Sequence, residues 1–360
     1  MRELLYLFHK YAGLLLGVFL ALTGLSGSLL VFDHALDEVI TSQLHGIASQ
    51  PKSSVQQALE SAEAAVPFVK ATRIDLARQL GSPHTVRFIG PPSTNRRIEV
   101  SIDPNSAEVL VVREWGQYPM SWIYRFHYTL LAGDTGKTIV GFIGFSLMLF
   151  CASGLFLWWP RRNRWKHALK IVRRKGALRF YWDLHRVIGV VTMPILTLCA
   201  VTGIAMVFSK PFATLVGSVT TISELPSYSV AAKSKQLSLD TLIQIVKKQW
   251  PGSEVKRLFL PQQPGDSLRL SVNLPGEYWT NYGASIIWLN SHNGEILGVR
   301  DARNLPVGNT VLTWMFPLHN ADVLGLSGRW LWVIIGAVPA FLFGSGAYLW
   351  LRKLGHRRLS

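Results

Sequence analysis

Four apolar stretches, at roughly residues 11–32, 138–159, 187–208 and 330–351, are each long enough to cross a bilayer as a helix. A backbone in lipid must satisfy its own hydrogen bonds, so four such stretches restrict the chain to an α-helical membrane protein. Composition agrees: of 360 residues 49% are hydrophobic and only 16% charged, and 13 are tryptophan. The formal charge is +16, and its placement says what it is for. The second and third stretches are joined by "RRNRWKHALKIVRRKGALR", and "RKLGHRR" follows the fourth. Short loops rich in Lys and Arg stay in the cytoplasm. Both termini and the basic loop 161–180 are therefore expected inside, in the inner membrane of a bacterial cell. Segments 34–135 and 209–325 are expected in the periplasm. The four spans are expected within 1–33, 136–160, 181–208 and 326–353, followed by a cytoplasmic tail at 354–360. On this reading the basicity reports orientation and argues against a nucleic-acid partner. The first stretch is too long for a cleaved signal peptide and no small-x-small site follows "LLVFDHALDE", so it reads as a signal anchor. Cys151 and Cys199 both fall inside spans, which argues against a structural disulfide.

The chain also repeats itself. Sliding residues 121–161 onto 313–353 by 192 positions, without a gap, sets Trp122 on Trp314, His127 on His319, Gly133 on Gly325, Lys137 on Arg329, Ser153 on Ser345 and Gly154 on Gly346. With an offset of 176, "YLFHKYAGLLLGVFLALTGLSGSLLVF" lies over "WDLHRVIGVVTMPILTLCAVTGIAMVF", matching His9 with His185, Lys10 with Arg186, Gly13 with Gly189 and Gly27 with Gly203. Each half thus reads as helix, external segment, helix, and the two halves as a pseudo-symmetric pair. Within the external segments, "SSVQQALESAEAAV" and "LSLDTLIQIVKKQW" have helical periodicity, and "HTVRFIG", "SLRLSVNL" and the turns "DPNSAEVL" and "NSHNGEIL" read as strands and hairpins. Each segment is expected to form a small α+β domain.

The repeat sorts the ten histidines. His9, His127, His185 and His319 have a counterpart in the other half; His34, His45, His84, His167, His292 and His356 have none. A buried imidazole at a helix end needs a partner, and in membranes one common partner is a haem iron. His9 and His185 enter their spans from the cytoplasmic side, roughly 18 Å from mid-bilayer at about 1.5 Å per residue. His127 and His319 precede their spans at the outer face. Two axial ligands of one iron must share a depth, which pairs His9 with His185 and His127 with His319, around two b-type haems. Gly13 and Gly189, four residues after their histidines, would leave clearance for a porphyrin, or serve helix packing. Lys137 and Arg329 at the outer site, and Lys10 and Arg186 at the inner one, would pair with haem propionates, or snorkel to the headgroups. Trp122 and Trp314 read as belt anchors. His34, at the outer end of the first span, competes for the outer haem but has no counterpart. The alternative for the four histidines is hydrogen bonding to carbonyls or headgroups.

A chain that opens "FHKYAGLLLG", carries the turns above, and repeats a histidine before helices ending "SGLFLWWP" and "SGAYLWLRK" resembles the PepSY-associated transmembrane family along essentially its whole length. That group includes ferric-siderophore reductases of the FoxB type. The resemblance implies PepSY-like external domains and an oxidoreductase that passes electrons across the membrane to a ferric siderophore in the periplasm, releasing iron as Fe(II). The cytoplasmic parts hold no nucleotide fingerprint, so the electron donor would be another protein or a membrane quinol. Two other classes compete: a membrane-anchored sensor or regulatory protein, and a siderophore or metal permease. An anchor needs no paired histidines, and a permease needs polar groups at mid-span, where these stretches are nearly apolar.

Overall fold

The computed structural model describes residues 1–47, 52–91, 96–160, 164–174, 176–231 and 235–358, the side chains of 355–358 excepted. Part of the basic loop and the end of the tail thus lie outside the described residues. In chain order the elements are α1 (Arg2–Leu30), α2 (Asp33–Ile40), α3 (Val55–Ala65), β1 (Ala71–Asp75), β2 (His84–Ile89), β3 (Arg97–Ile102), β4 (Val109–Glu114), α4 (Pro119–Thr129) and α5 (Gly133–Trp158). There follow α6 (Trp165–Ala168), α7 (Ala177–Val207), α8 (Ser209–Gly217), α9 (Leu239–Gln249), β5 (Glu254–Phe259), β6 (Leu268–Asn273), β7 (Ser285–Leu289), β8 (Ile296–Arg300), α10 (Val307–His319) and α11 (Gly325–Arg358). Two compact units result: a helical one, Met1–Phe32, Ile123–Leu215 and the chain from Trp314 on, and a sheet unit, Asp33–Trp122 with Val216–Thr313.

In the helical unit, α1, α5, α7 and α11 are long and apolar enough to cross a membrane. They begin at Arg2, Gly133, Ala177 and Gly325, within one to four residues of the expected limits. Large apolar side chains such as Phe142, Val191 and Ile334 stand more than half exposed, as they do where lipid rather than water is the neighbour. Small residues let the backbones meet. A Cβ at Gly24 on α1 would collide with the Gly336 carbonyl of α11, and Ser28 donates a 2.8 Å hydrogen bond to the Val333 carbonyl. The repeat mates of Gly336 and Gly24, Gly144 and Ala200, also face each other: a Cβ on Gly144 would lie 3.7 Å from the Ala200 carbonyl oxygen. The first helix of each half therefore packs on the second helix of the other.

The sheet unit corrects an expectation. The two segments between the spans do not form two small domains; they share one antiparallel sheet of eight strands, in the order β4-β3-β2-β1-β5-β6-β7-β8. The reason is an edge. Each four-stranded half would leave a strand with unpaired N–H and C=O groups, β1 in one and β5 in the other. Here β1 and β5 pair with each other, Ile74 opposite Leu258 and Asp75 opposite Arg257, and both apolar side chains at that seam are fully buried. The helical stretches read from the sequence are present as α3 and α9, and they pack against the same core as Phe88, Leu270 and Ile287. Both carry serine caps, Ser54 accepting from the Gln57 amide and Ser238 from the Thr241 amide. The halves are stitched again at those helices, where the Asp240 carboxylate accepts from the Val55 and Gln56 amides at 2.9 and 3.0 Å.

Candidate functional site

Each of the four repeat histidines sits on a hydroxyl–glycine pair of a neighbouring helix. His9 bonds Ser153 at 2.7 Å, His185 bonds Ser345 at 2.8 Å, His127 bonds Ser26 at 3.1 Å, and His319 bonds Thr202 at 2.9 Å, in every case through Nδ1. The next residue is glycine each time. A Cβ there would meet the imidazole Cε1 at 3.4 Å at Gly154, 3.6 Å at Gly346, 2.9 Å at Gly27 and 3.2 Å at Gly203. At Gly27 and Gly203 a Cβ would crowd the ring, whereas at Gly154 and Gly346 it would make ordinary van der Waals contact with it.

The hydroxyls also fix the tautomer. Each lies within donating distance of a backbone carbonyl three or four residues back on its own helix: Ser26 of Thr23, Ser153 of Phe150, Thr202 of Leu198 at 2.7 Å, and Ser345 of Leu342. A hydroxyl whose proton goes to the carbonyl leaves its oxygen to accept, with Nδ1 of the histidine as the donor. His127 makes the case most directly, because its Nδ1 also donates to the Thr23 carbonyl at 2.9 Å, which can only accept. His127 is thereby held with Nε2 as the bare lone-pair nitrogen; the same tautomer in His9, His185 and His319 leaves their Nε2 as the lone-pair nitrogen, which no described residue bonds. An imidazole oriented by an outer-shell acceptor on Nδ1, with Nε2 left open, is the usual form of a metal ligand.

Geometry groups the four in twos. The rings of His127 and His319 lie 6.2 Å apart, centroid to centroid, and are tilted by 55°. Two imidazoles on opposite sides of one metal, with metal–nitrogen bonds of about 2 Å, have centroids about 6 Å apart. His9 and His185 are close enough to interact electrostatically, and His9 also meets Phe150 edge-on at 5.6 Å. Among the described residues no three His, Cys, Asp or Glu side chains converge as a polydentate metal site requires. A group that takes two axial imidazoles and fills its remaining positions itself fits this donor set.

Local folding delivers the rings. His127 lies near the end of α4, after which Leu130, Leu131 and Gly133 take positive φ and turn the chain into α5. His319 ends α10, and Ala321 and Gly325 turn the chain the same way into α11. The φ values of +58° at Gly133 and +62° at Gly325, matched positions of the repeat, suit glycine.

The remaining sequence candidates are placed as follows. Gly13 and Gly189 have no histidine against them; a Cβ would sit 4.0 Å from Phe150 and 3.8 Å from Leu342. Arg186 pairs at 3.0 Å with the fully buried Asp183, which also holds Arg179 at 2.9 Å. Arg329 donates to the Val31 carbonyl at 3.2 Å and lies 4.5 Å over the Phe32 ring. Lys10 lies 3.9 Å over the Tyr11 ring. Lys137 is half-buried, with no ion-pair or hydrogen-bond partner among the described residues. His34 belongs to the sheet unit, where its ring is 3.4 Å from the Tyr282 hydroxyl. The residues missed by the sequence reading are Ser26, Ser153, Thr202 and Ser345 with their glycines. The signal was present, since both offsets align a hydroxyl–glycine dipeptide with its mate.

Comparison with known proteins agrees with the architecture. The sequence profile of the PepSY-associated TM region matches residues 6–353. The uncharacterized protein PA4219 of Pseudomonas aeruginosa is 26% identical over 254 residues, 64% of this chain and 63% of that protein. The chain therefore spans less than two thirds of that relative's length.

Proposed function

The chain belongs to the family of PepSY-associated TM regions, and we propose that this member is a di-haem reductase of the bacterial inner membrane that passes electrons to a periplasmic ferric siderophore. The observation that carries the reading is the state of the four histidines, each bound through Nδ1 to a hydroxyl and bare at Nε2, in two pairs. His9 with His185 would hold one b-type haem and His127 with His319 the other. The haems would supply reversible one-electron exchange. The residues of the chain do the rest. Ser26, Ser153, Thr202 and Ser345 accept from Nδ1 and so fix ring orientation and raise the basicity of Nε2. Gly27 and Gly203 keep the flank of the His127 and His319 rings clear.

The basic loop and the short Lys/Arg-rich tail support an orientation with both termini in the cytoplasm. In that orientation His9 and His185 would hold the haem that accepts electrons from a cytoplasmic protein or a membrane quinol, and His127 and His319 the one nearer the acceptor. Hard oxygen chelators hold Fe(III) far better than Fe(II), so one electron added to the chelate loosens its iron. The test is re-oxidation. Purified protein reduced with dithionite and freed of excess reductant is mixed with a ferric hydroxamate chelate, and the haem spectrum is followed beside a trap for Fe(II). The proposal expects the spectrum to return to the oxidised form as Fe(II) appears in equal amount. A reduced spectrum that persists in the presence of the chelate would remove the reductase assignment while leaving haem binding standing.

A further inference from the structure

The sheet unit holds a cleft that the electron-transfer reading does not use. It is a cavity of about 70 Å³ at the β1–β5 seam, lined from one half by Asp75, Arg87, Glu99 and Tyr118 and from the other by Arg257 and Tyr282. A water needs about 10–15 Å³ on this measure, so the space suits a group of several heavy atoms rather than one solvent molecule.

Its carboxylates each face a cation, although Asp75 Oδ1 and Glu99 Oε1 accept no hydrogen bond among the described residues. Asp75 faces Arg73 at 2.9 Å, Arg87 at 2.8 Å and Arg257 at 2.9 Å. Glu99, almost wholly buried, holds Arg87 at 2.6 Å and the Tyr118 hydroxyl at 2.5 Å. Asp37 is gripped by both Nη groups of Arg113 at 2.8 and 2.9 Å. The guanidiniums are not used up. Arg257 reaches Asp75 through Nε alone, and its Nη groups take no acceptor among the described residues. Among the described residues Arg78 makes one ion-pair contact, to Glu38 at 3.4 Å. A guanidinium offers five N–H donors and no acceptor, so two of them in one cleft leave a surplus that only a ligand or water can satisfy. Arg257 is also braced in place, 4.2 Å over the Tyr282 ring.

We infer that this cleft binds an oxyanion, a carboxylate or phosphate group, held in the fork of Arg257 and by Arg78. Bidentate guanidinium recognition of such groups is strong and planar, and the seam brings together one arginine from each half to do it. The local field points the same way. Burial, and then Arg78, Arg87 and Arg257, hold the half-buried His34 well below its usual imidazole range, against the opposing pull of Asp75. The inference stands apart from the haem assignment, since it uses no residue of the helical unit.

The test is calorimetric titration of the full chain in detergent with three probes: inorganic phosphate, citrate, and a short-chain phosphatidylglycerol. Saturable binding of one or more is expected. Phosphate or citrate alone would indicate a free anion, and the lipid alone a headgroup. Arg78→Gln, whose only partner is a long contact, should weaken binding roughly tenfold or more. Arg257→Gln should do the same and Arg257→Lys should fall between, keeping the charge and losing the fork. Arg96→Gln, outside the cleft and mostly exposed, should leave affinity unchanged. No saturable heat with any probe, or equal affinity in Arg78→Gln and wild type, would overturn the inference.

Discussion

The ring of His127 lies 6.2 Å from that of His319, and each is tied through Nδ1 to a hydroxyl on a spanning helix, Ser26 on α1 and Thr202 on α7. A pair so placed can share one metal, and its support makes separate, measurable demands on the residues beneath it.

The first demand is steric. Gly27→Ala would place a Cβ 2.9 Å from Cε1 of His127, and Gly203→Ala one 3.2 Å from Cε1 of His319. Both are expected to remove or displace the haem proposed at His127 and His319 and to spare the one proposed at His9 and His185. Gly13→Ala, whose Cβ would find Phe150 at 4.0 Å, is expected to leave both haems in place. Haem content per chain in the three variants checks this, and equal loss in all three would contradict it.

The second demand is on the hydroxyls. Ser153→Ala and Ser345→Ala delete the acceptors of Nδ1 in His9 and His185. Loss of an outer-shell partner of this kind typically weakens metal binding by about 10–100-fold. Haem at the His9–His185 site should therefore be lost more readily on dilution into excess apomyoglobin, with Ser153→Thr restoring retention. Unchanged transfer rates in the alanine variants would show that the hydroxyls do not support the ligands.

At the sheet seam, Ile74 and Leu258 face each other across β1 and β5 with no exposed surface. Truncating Leu258 to Ala is expected to cost about 2–5 kcal/mol in the stability of this unit. Denaturant unfolding followed by tryptophan fluorescence measures it. A change below about 0.5 kcal/mol, the range of surface substitutions, would mean that the two halves are not packed as one sheet.

His84 supplies a pH dependence. It is buried on β2, its Nδ1 accepts the Ala77 amide at 2.8 Å, and burial pushes its pKa from the usual 6.5 down to about 4. The fold needs the neutral ring, whereas the unfolded chain protonates first as pH falls. Its contribution, on the order of 3 kcal/mol, is thus fully present above pH 6.5 and lost as the pH falls from 6.5 to about 4. Unfolding free energy measured across that window should decline in the wild type and decline less in His84→Gln. Identical slopes would assign the acid sensitivity to other groups.

How much of this was legible in the sequence depends on the range of the interaction involved. The four spans and the paired histidines were readable because a long apolar run has one stable form in lipid, and because a repeat marks matched positions. Helices α3 and α9 were readable from local periodicity, as were the hairpins. The β1–β5 seam was not, because edge pairing joins strands separated by some 180 residues and carries no local signal. Gly13 and Gly189 were singled out by four-residue spacing within one helix, yet the glycines that touch the rings lie on other helices. His34 was read from its place at the end of a span, while its ring is set by Tyr282 and the arginines of a distant strand.

The central claim is that two haems are held by His9 with His185 and by His127 with His319. The most direct measurement is haem stoichiometry, by absorption spectrum and pyridine haemochrome assay, of the purified detergent-solubilised chain and its histidine variants. The account predicts two b-type haems per wild-type chain, one in His9→Ala, one in His127→Ala and none in the double variant. A wild-type protein without a Soret band, or full haem content in the double variant, would contradict it.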